Sequence, residues 1–322
     1  MALGYGLPGP GIIAANAGLQ AWSTTGIFVI SGLGLKRGEA ASAATAWGSV
    51  LFGLVSILAL TPLAAFAILR LPLHPPEFAF GLAVFCCMPT TLSSGVSLTQ
   101  AAGGNAALAL LLTVGTNLLG ILTMPFVLSA VLGSGSSAVH LAPGPLLQNL
   151  AITILLPLLA GCAARALFPG VRSFVDGHKK GFSLLSNALL IMVPWMQISK
   201  AVTGGTHVGL ADLAVVTAAG LALHGVYLAF NTAASRALKL GGKHGGQEAV
   251  GICRAVVLVT SSKTLPIAVT VLSQLSVMLG SGIGLAVVPC VVAHLTQIIW
   301  DSLLVSSWVR QDQRDHRQQQ QH

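Results

Sequence analysis

Long apolar runs separated by short polar joints occupy nearly the whole chain. A run of about 20 apolar residues is enough to cross a bilayer as a helix. Read this way, the pattern predicts nine spans: 21–35, 43–69, 77–100, 103–132, 147–167, 182–202, 208–238, 248–277 and 280–308. The first is short for a span. The segment before it, rich in proline and glycine, makes a poor spanning helix and an equally poor signal or transit peptide.

Two spans break the apolar pattern. The stretch CCMPTTLSSGVSLTQAAGGN (86–105) sets Pro89 beside Thr90, Thr91, Ser93 and Ser94. The stretch VTSSKTLPIAV sets Ser261, Ser262, Lys263 and Thr264 just before Pro266. Proline removes a helical hydrogen bond and clashes with the preceding turn. In lipid the freed main-chain groups must find partners inside the protein or line a cavity. Hydroxyls beside the break fit either use. For one segment alone, a proline kink with hydroxyls bonded back to the i−4 carbonyl explains as much.

The second segment answers the first. Pro266 follows Pro89 by 177 residues, the spans after them start the same distance apart, and His294 follows Asn117 at that spacing too. The chain therefore reads as two similar halves: 1–132 with four spans, a linker at 133–146, and 147–308 with five spans. A polar tail, 309–322, is expected to be disordered. An odd number of spans per half inverts the second copy. Inverted repeats with paired broken helices mark secondary transporters. The expectation is an all-α membrane protein with a ten-helix inverted-repeat fold, nine spans present and the first missing. Pro89 and Pro266 would be the helix breaks. The two breaks, crossing near the midplane, would expose main chain and hydroxyls to an ion or solute.

Composition supports the bilayer. The chain is 54% hydrophobic and 7% charged, against roughly 25% charged in soluble domains. Twelve basic residues, among them Lys36, Arg37, Arg165, Arg172, Arg236 and Arg310, fall on one side of the nine-span map. Arg70 and Lys200 fall on the other. The positive-inside rule then puts the C-terminus inside. These basic residues sit in loops without interleaved aromatics, so the net charge of +8 does not indicate a nucleic-acid partner. The five cysteines have no zinc-like spacing and read as small core residues. HExxH and GxSxG motifs are absent, so neither an enzyme nor a resident metal or cofactor is expected. A filter-like repeat, as in a channel, is absent too.

Arg254 and Lys263 lie inside the eighth span. Charges at membrane depth are costly and mark function by default. Asp301 is the first candidate partner for Lys263 and Glu248 the second. Lys263 could face an anionic solute, exchange protons, or lock two helices as a structural Lys–Asp pair. His294, Gln297 and Asp301 share one helix face at i, i+3 and i+7, which suits either a cavity lining or interhelical hydrogen bonds. Arg254 is expected to snorkel or pair with Glu248. His224 reads as a satisfied intramembrane histidine.

The stretches FCCMPTTLSSGVSLTQAAGGNAALALLLTVGTNLLG, TGIFVISGLGLKRGE, SSKTLPIAV and VVPCVVAHLTQIIWDSLLVSSW resemble the bile acid:sodium symporter family, in particular its branch of plant chloroplast sodium/metabolite cotransporters. The resemblance covers most of the chain outside the missing span and the tail. It implies a core domain moving against a panel domain, with an anionic metabolite as passenger and a chloroplast envelope as location. It also implies one sodium near the first break, matching Ser94, Gly95 and Thr113, with Thr116 and Asn117 nearby. Gly95 stands where the family has asparagine. At the second break the family carries a glutamate and a glutamine. This chain has no carboxylate there and has Lys263 instead. An ammonium about 4 Å from a sodium site opposes it by about 4 kcal/mol at an effective dielectric of 20. Thr90, Thr91, Ser93, Ser261, Ser262, Lys263 and Thr264 are the candidate solute contacts. Some relatives in this branch resemble factors affecting calcium handling, so a membrane regulator without transport is the alternative function.

Overall fold

The computed structural model describes residues 6, 8–35, 46–91, 94–134, 141–203, 208–241, 246–279 and 281–319. Among them there are helices and turns and no strand. In chain order the helices are α1 Pro8–Asn16, α2 Leu19–Gly34, α3 Trp47–Ile68, α4 Glu77–Cys86, α5 Ser94–Ala101 and α6 Ala106–Gly133. There follow α7 Pro143–Leu167, α8 Pro169–Gly177, α9 Lys179–Thr203 and α10 Leu210–Ala237. The last three are α11 Gly246–Ser261, α12 Leu265–Leu279 and α13 Val287–Gln319, the last entered through a 3₁₀ turn at Ser281–Ala286.

Among the described residues, seven helical segments are long and apolar enough to cross a membrane: α3, α6, α7, α9, α10, the α11–α12 pair, and a final one at Ile283–Asp315. The chain is a multi-pass membrane protein. The expected third span is two short helices, α4 and α5, each too short to cross alone. The expected first span is α2, preceded by a separate helix α1. The break between them falls at Gly18, whose φ of 75° is left-handed and costs glycine little. The segment before residue 21, expected not to span, is helical in α1 and packs on α9. The tail expected to be disordered is also helical as far as Gln319, continuous with α13.

Two helices widen where proline would otherwise disrupt them. α3 makes a π turn at Ser56–Leu60 just before Thr61-Pro62, and α7 makes one at Ala151–Leu155 just before Leu156-Pro157. A π turn absorbs the missing proline amide and leaves carbonyls without their usual helical donor.

Packing divides the helices into two groups. α2 lies against α7 and α9, and α1 against α9. Gly32 of α2 and Gly161 of α7 meet face to face; a Cβ on either would strike the other helix's backbone. Small residues at such a contact let helices approach closely in lipid. The other group gathers α3–α6 and α10–α13 around the α11–α12 pair. That pair is 94% buried over its apolar window, whereas the other six segments are 28–50% buried. It is the central element of the bundle. Large apolar side chains point outward elsewhere, including Trp22, Trp47 and Leu210, as a lipid-facing surface requires.

Candidate functional site

Both interrupted helices open inside the bundle, and their openings touch. In the first, helical structure stops at Cys86 and resumes at Ser94. In the second it stops at Ser261 and resumes at Leu265. The Thr264 amide donates to the Pro89 carbonyl at 2.9 Å, and Thr90 Oγ1 donates to the Val259 carbonyl at 2.6 Å. Main-chain groups freed in one helix are thus satisfied by the other, as a low-dielectric interior demands. Gly120 of α6 makes room for this, since a Cβ there would crowd Pro89 at 3.2 Å.

The two prolines have different roles. Pro89 lies within its break. Pro266 was expected to break the second helix but occupies the first turn of α12. Proline is favoured at that position because the amide it lacks would be unpaired anyway. The second break is the three residues before it, Ser262 to Thr264, all buried.

Lys263 sits at the centre and is 1% exposed. Its ammonium donates to Thr61 Oγ1 at 2.8 Å, the Met88 carbonyl at 2.8 Å and the Ile57 carbonyl at 3.2 Å. Its Nζ also lies 5.8 Å from the Tyr227 ring centroid. The Ile57 carbonyl is available because it lies in the π turn of α3, ahead of Pro62. The Met88 carbonyl is available because α4 has just ended. This corrects the expected Lys263–Asp301 pair. Asp301 is engaged elsewhere, with His224 Nε2 2.8 Å from Oδ1 and the Ser262 hydroxyl 3.1 Å from Oδ2. Lys263 is held by neutral oxygens and an aromatic face.

Gln297 of α13 repairs the second break. Its Nε2 donates to the Lys263 carbonyl at 2.6 Å, and its Oε1 accepts the Lys263 amide at 3.1 Å. His294 Nδ1 lies 3.2 Å from the same carbonyl. The face of α13 bearing His294, Gln297 and Asp301 therefore reaches residues 262–263.

Asn117 of α6 serves the first break. Its Nδ2 donates to the Thr90 carbonyl at 3.1 Å and to the Thr113 carbonyl at 2.7 Å. Its Oδ1, and Thr113 Oγ1 one turn earlier, are buried with no hydrogen-bond partner among the described residues. Thr264 Oγ1 is in the same position. Thr91 Oγ1 accepts the Gly95 amide at the start of α5, and a Cβ on Gly95 would sit 2.9 Å from that hydroxyl. Ser94 begins α5. Thr116 takes the bland course and bonds back to the Leu112 carbonyl at 2.7 Å. Ser93 lies outside the described residues.

Ser261 accepts from Asn231 Nδ2 at 3.1 Å, and Asn231 Oδ1 accepts from Ser56 Oγ at 2.7 Å. This polar chain ties α3, α10 and α11 behind the crossing. Arg254, expected near Glu248, forms a two-pronged pair with Asp312 at 2.7 and 2.8 Å and donates to the Ala102 carbonyl at 2.8 Å.

Sequence reasoning missed the α3 and α10 contributions: Ile57, Thr61, Tyr227 and the His224–Asp301 pair. Only the Thr61-Pro62 dipeptide carried a signal, since proline inside an apolar span marks an unsatisfied carbonyl nearby.

"Probable sodium/metabolite cotransporter BASS4, chloroplastic" of Oryza sativa subsp. indica is 46% identical over 309 residues, 95% of this chain and 73% of that protein. The protein of the same name from Arabidopsis thaliana is 44% identical over 308 residues, 96% of this chain and 70% of its own length. "Sodium/bile acid cotransporter 7" of Danio rerio is 33% identical over 170 residues, 52% of this chain and 49% of its own. The model of the SBF-like CPA transporter family matches residues 1–310, and the chain belongs to that family.

Proposed function

We propose that the chain is a secondary transporter that carries a small organic anion across a membrane by alternating access. The single observation behind this reading is the contact between two interrupted helices at bundle depth, with main chain, hydroxyls and one ammonium gathered at the junction. Such junctions are where transporters of this kind bind passengers. In this reading the two packing groups are the panel and the core, and the core tilts against the panel through α9, α12 and the turn before α13. The inverted repeat accounts for the paired breaks. The names of the plant relatives support a metabolite as passenger and a chloroplast envelope as location.

For ions, Thr113 Oγ1 and Asn117 Oδ1 supply buried oxygens without a partner among the described residues, Ser94 and Gly95 open α5 after the same break, and oxygen donors suit hard cations. A sodium site there is part of the proposal. At the second break Lys263 occupies the acceptors Ile57, Thr61 and Met88 itself, so no second sodium binds there.

The test is uptake into proteoliposomes of a panel of small mono- and dicarboxylates, under separate sodium, potassium and proton gradients. Accumulation of at least one anion supports the reading. No flux of any member under any gradient contradicts it and favours a regulator of ion homeostasis without transport.

A further inference from the structure

We propose that the buried His224–Asp301 pair is a proton-binding site, and that one proton taken up there accompanies each anionic solute. The coupling rests on the transport reading above; the proton site itself stands on geometry alone.

The first observation is the pair itself. Asp301 is 1% exposed and His224 is 3% exposed, at membrane depth between α13 and α10. His224 Nε2 lies 2.8 Å from Asp301 Oδ1. With the neutral ring donating from Nε2, the other nitrogen carries a bare lone pair. His224 Nδ1 is buried and has no partner among the described residues. It is a proton acceptor already beside a carboxylate that would stabilise the imidazolium.

The second observation is a cavity of about 10 Å³ whose polar lining is His224, Tyr227, Lys263 and Gln297. That volume is about what one water requires. It places the histidine and the lysine of the second break around one small polar space. The Ser262 hydroxyl, shared between the Leu258 carbonyl at 2.8 Å and Asp301 at 3.1 Å, ties the pair to the break from the other side.

The third is the charge balance. Lys263 is positive on neutral acceptors, and Asp301 is negative against His224 and Ser262. With a neutral imidazole the junction sums to zero. A bound monoanion without sodium at the first break, or a dianion with it, would then leave an uncompensated charge at membrane depth, which is costly. A proton on His224 restores neutrality. Anion and proton therefore each favour the other's binding, and the coupling is reciprocal. Hydronium on one side gives up the proton, an O–H bond breaking as Nδ1–H forms, and on the other side Nδ1–H breaks as water takes the proton and O–H re-forms. The remaining titratable groups facing the junction are Lys263 itself, Cys86 and Cys87 from α4, Tyr227 from α10, and Cys290 and His294 from α13.

The experiment uses the full chain in lipid nanodiscs with ¹⁵N-labelled histidine. His224 is assigned by its loss in His224→Gln. The expected result is one buried ring that gains a proton as the bath is acidified over the range in which the chain stays folded, and no longer does so in Asp301→Asn. The second variant keeps the test open if the first does not fold. A His224 ring locked in one state across the range overturns the site. A second arm measures carboxylate uptake into liposomes under an inward proton gradient. At least tenfold stimulation, lost in Asp301→Asn, is expected. Uptake indifferent to the proton gradient overturns the coupling. A His224 that titrates in a chain that moves no anion keeps the site and refutes the transport reading instead.

Discussion

Lys263 carries more of this site than any other residue. An ammonium withdrawn from water costs several kcal/mol even after relaxation. Two carbonyls and a hydroxyl at 2.8–3.2 Å offset that cost. The arrangement is a cation cradle whose cation is covalently attached. Truncating the side chain should turn the cradle into a vacant monovalent-cation site. Lys263→Ala is therefore expected to melt lower than the parent, and to regain several degrees in sodium, potassium or methylammonium chloride. The parent should not respond to potassium or methylammonium, and to sodium only as far as its first-break site binds it. Equal salt responses in the two proteins would refute the cradle. Gln297→Leu is expected to lose about 1–3 kcal/mol, because the Lys263 amide is orphaned while its carbonyl keeps His294 Nδ1 at 3.2 Å. Thermal denaturation in nanodiscs, read against a lipid-facing control such as Leu303→Ala, checks that figure. Lys263 was conspicuous in the sequence, because a charge in an apolar span is. Its partners were not, because carbonyls carry no residue type. The expected carboxylate, Asp301, was already engaged by a histidine 77 positions away.

Among the elements, the interrupted helices were legible as a pair and misread in detail. The sequence pattern points to proline as the point of rupture in both. In α4–α5 that reading describes the chain. In α11–α12 the proline starts the second half-helix, and Lys263 with its neighbours forms the gap. One residue type serves inside a break and at a helix start, and only the surrounding hydrogen bonds separate the two. The close approach of α6 to the first break gives a sharp test. Gly120→Leu inserts a side chain against Pro89, and overpacking of this kind costs about 1–3 kcal/mol. It should also lower transport far more than Gly133→Leu, whose Cβ position is open. The last helix offers a second. Its extension past the membrane is fastened by the Arg254–Asp312 pair, with Trp308 5.4 Å from the guanidinium. Asp312→Ala is expected to speed proteolysis after residue 309 several-fold and to lower the melting temperature, since Arg254, 11% exposed, loses its carboxylate and keeps only the Ala102 carbonyl. Composition alone marked this segment as disordered, because a polar helix held by one ion pair has no apolar stripe to announce it.

For the whole molecule, the hydrophobic pattern was enough to place the chain in a bilayer and to outline seven segments that the structure also makes long and apolar. It did not reveal which of them is central. The α11–α12 pair is less hydrophobic than most, yet the most buried. In a membrane, burial within the bundle follows polar function rather than apolarity, since lipid already solvates the apolar faces. The account depends on that central pair meeting α4–α5 break to break. The most direct measurement is a single-particle structure of the chain in lipid nanodiscs. The account predicts two interrupted helices in contact, with the Thr264 amide on the Pro89 carbonyl and density for Lys263 Nζ among Ile57, Thr61 and Met88. Two continuous helices through these segments, or gaps that lie apart on opposite flanks of the bundle, would contradict it.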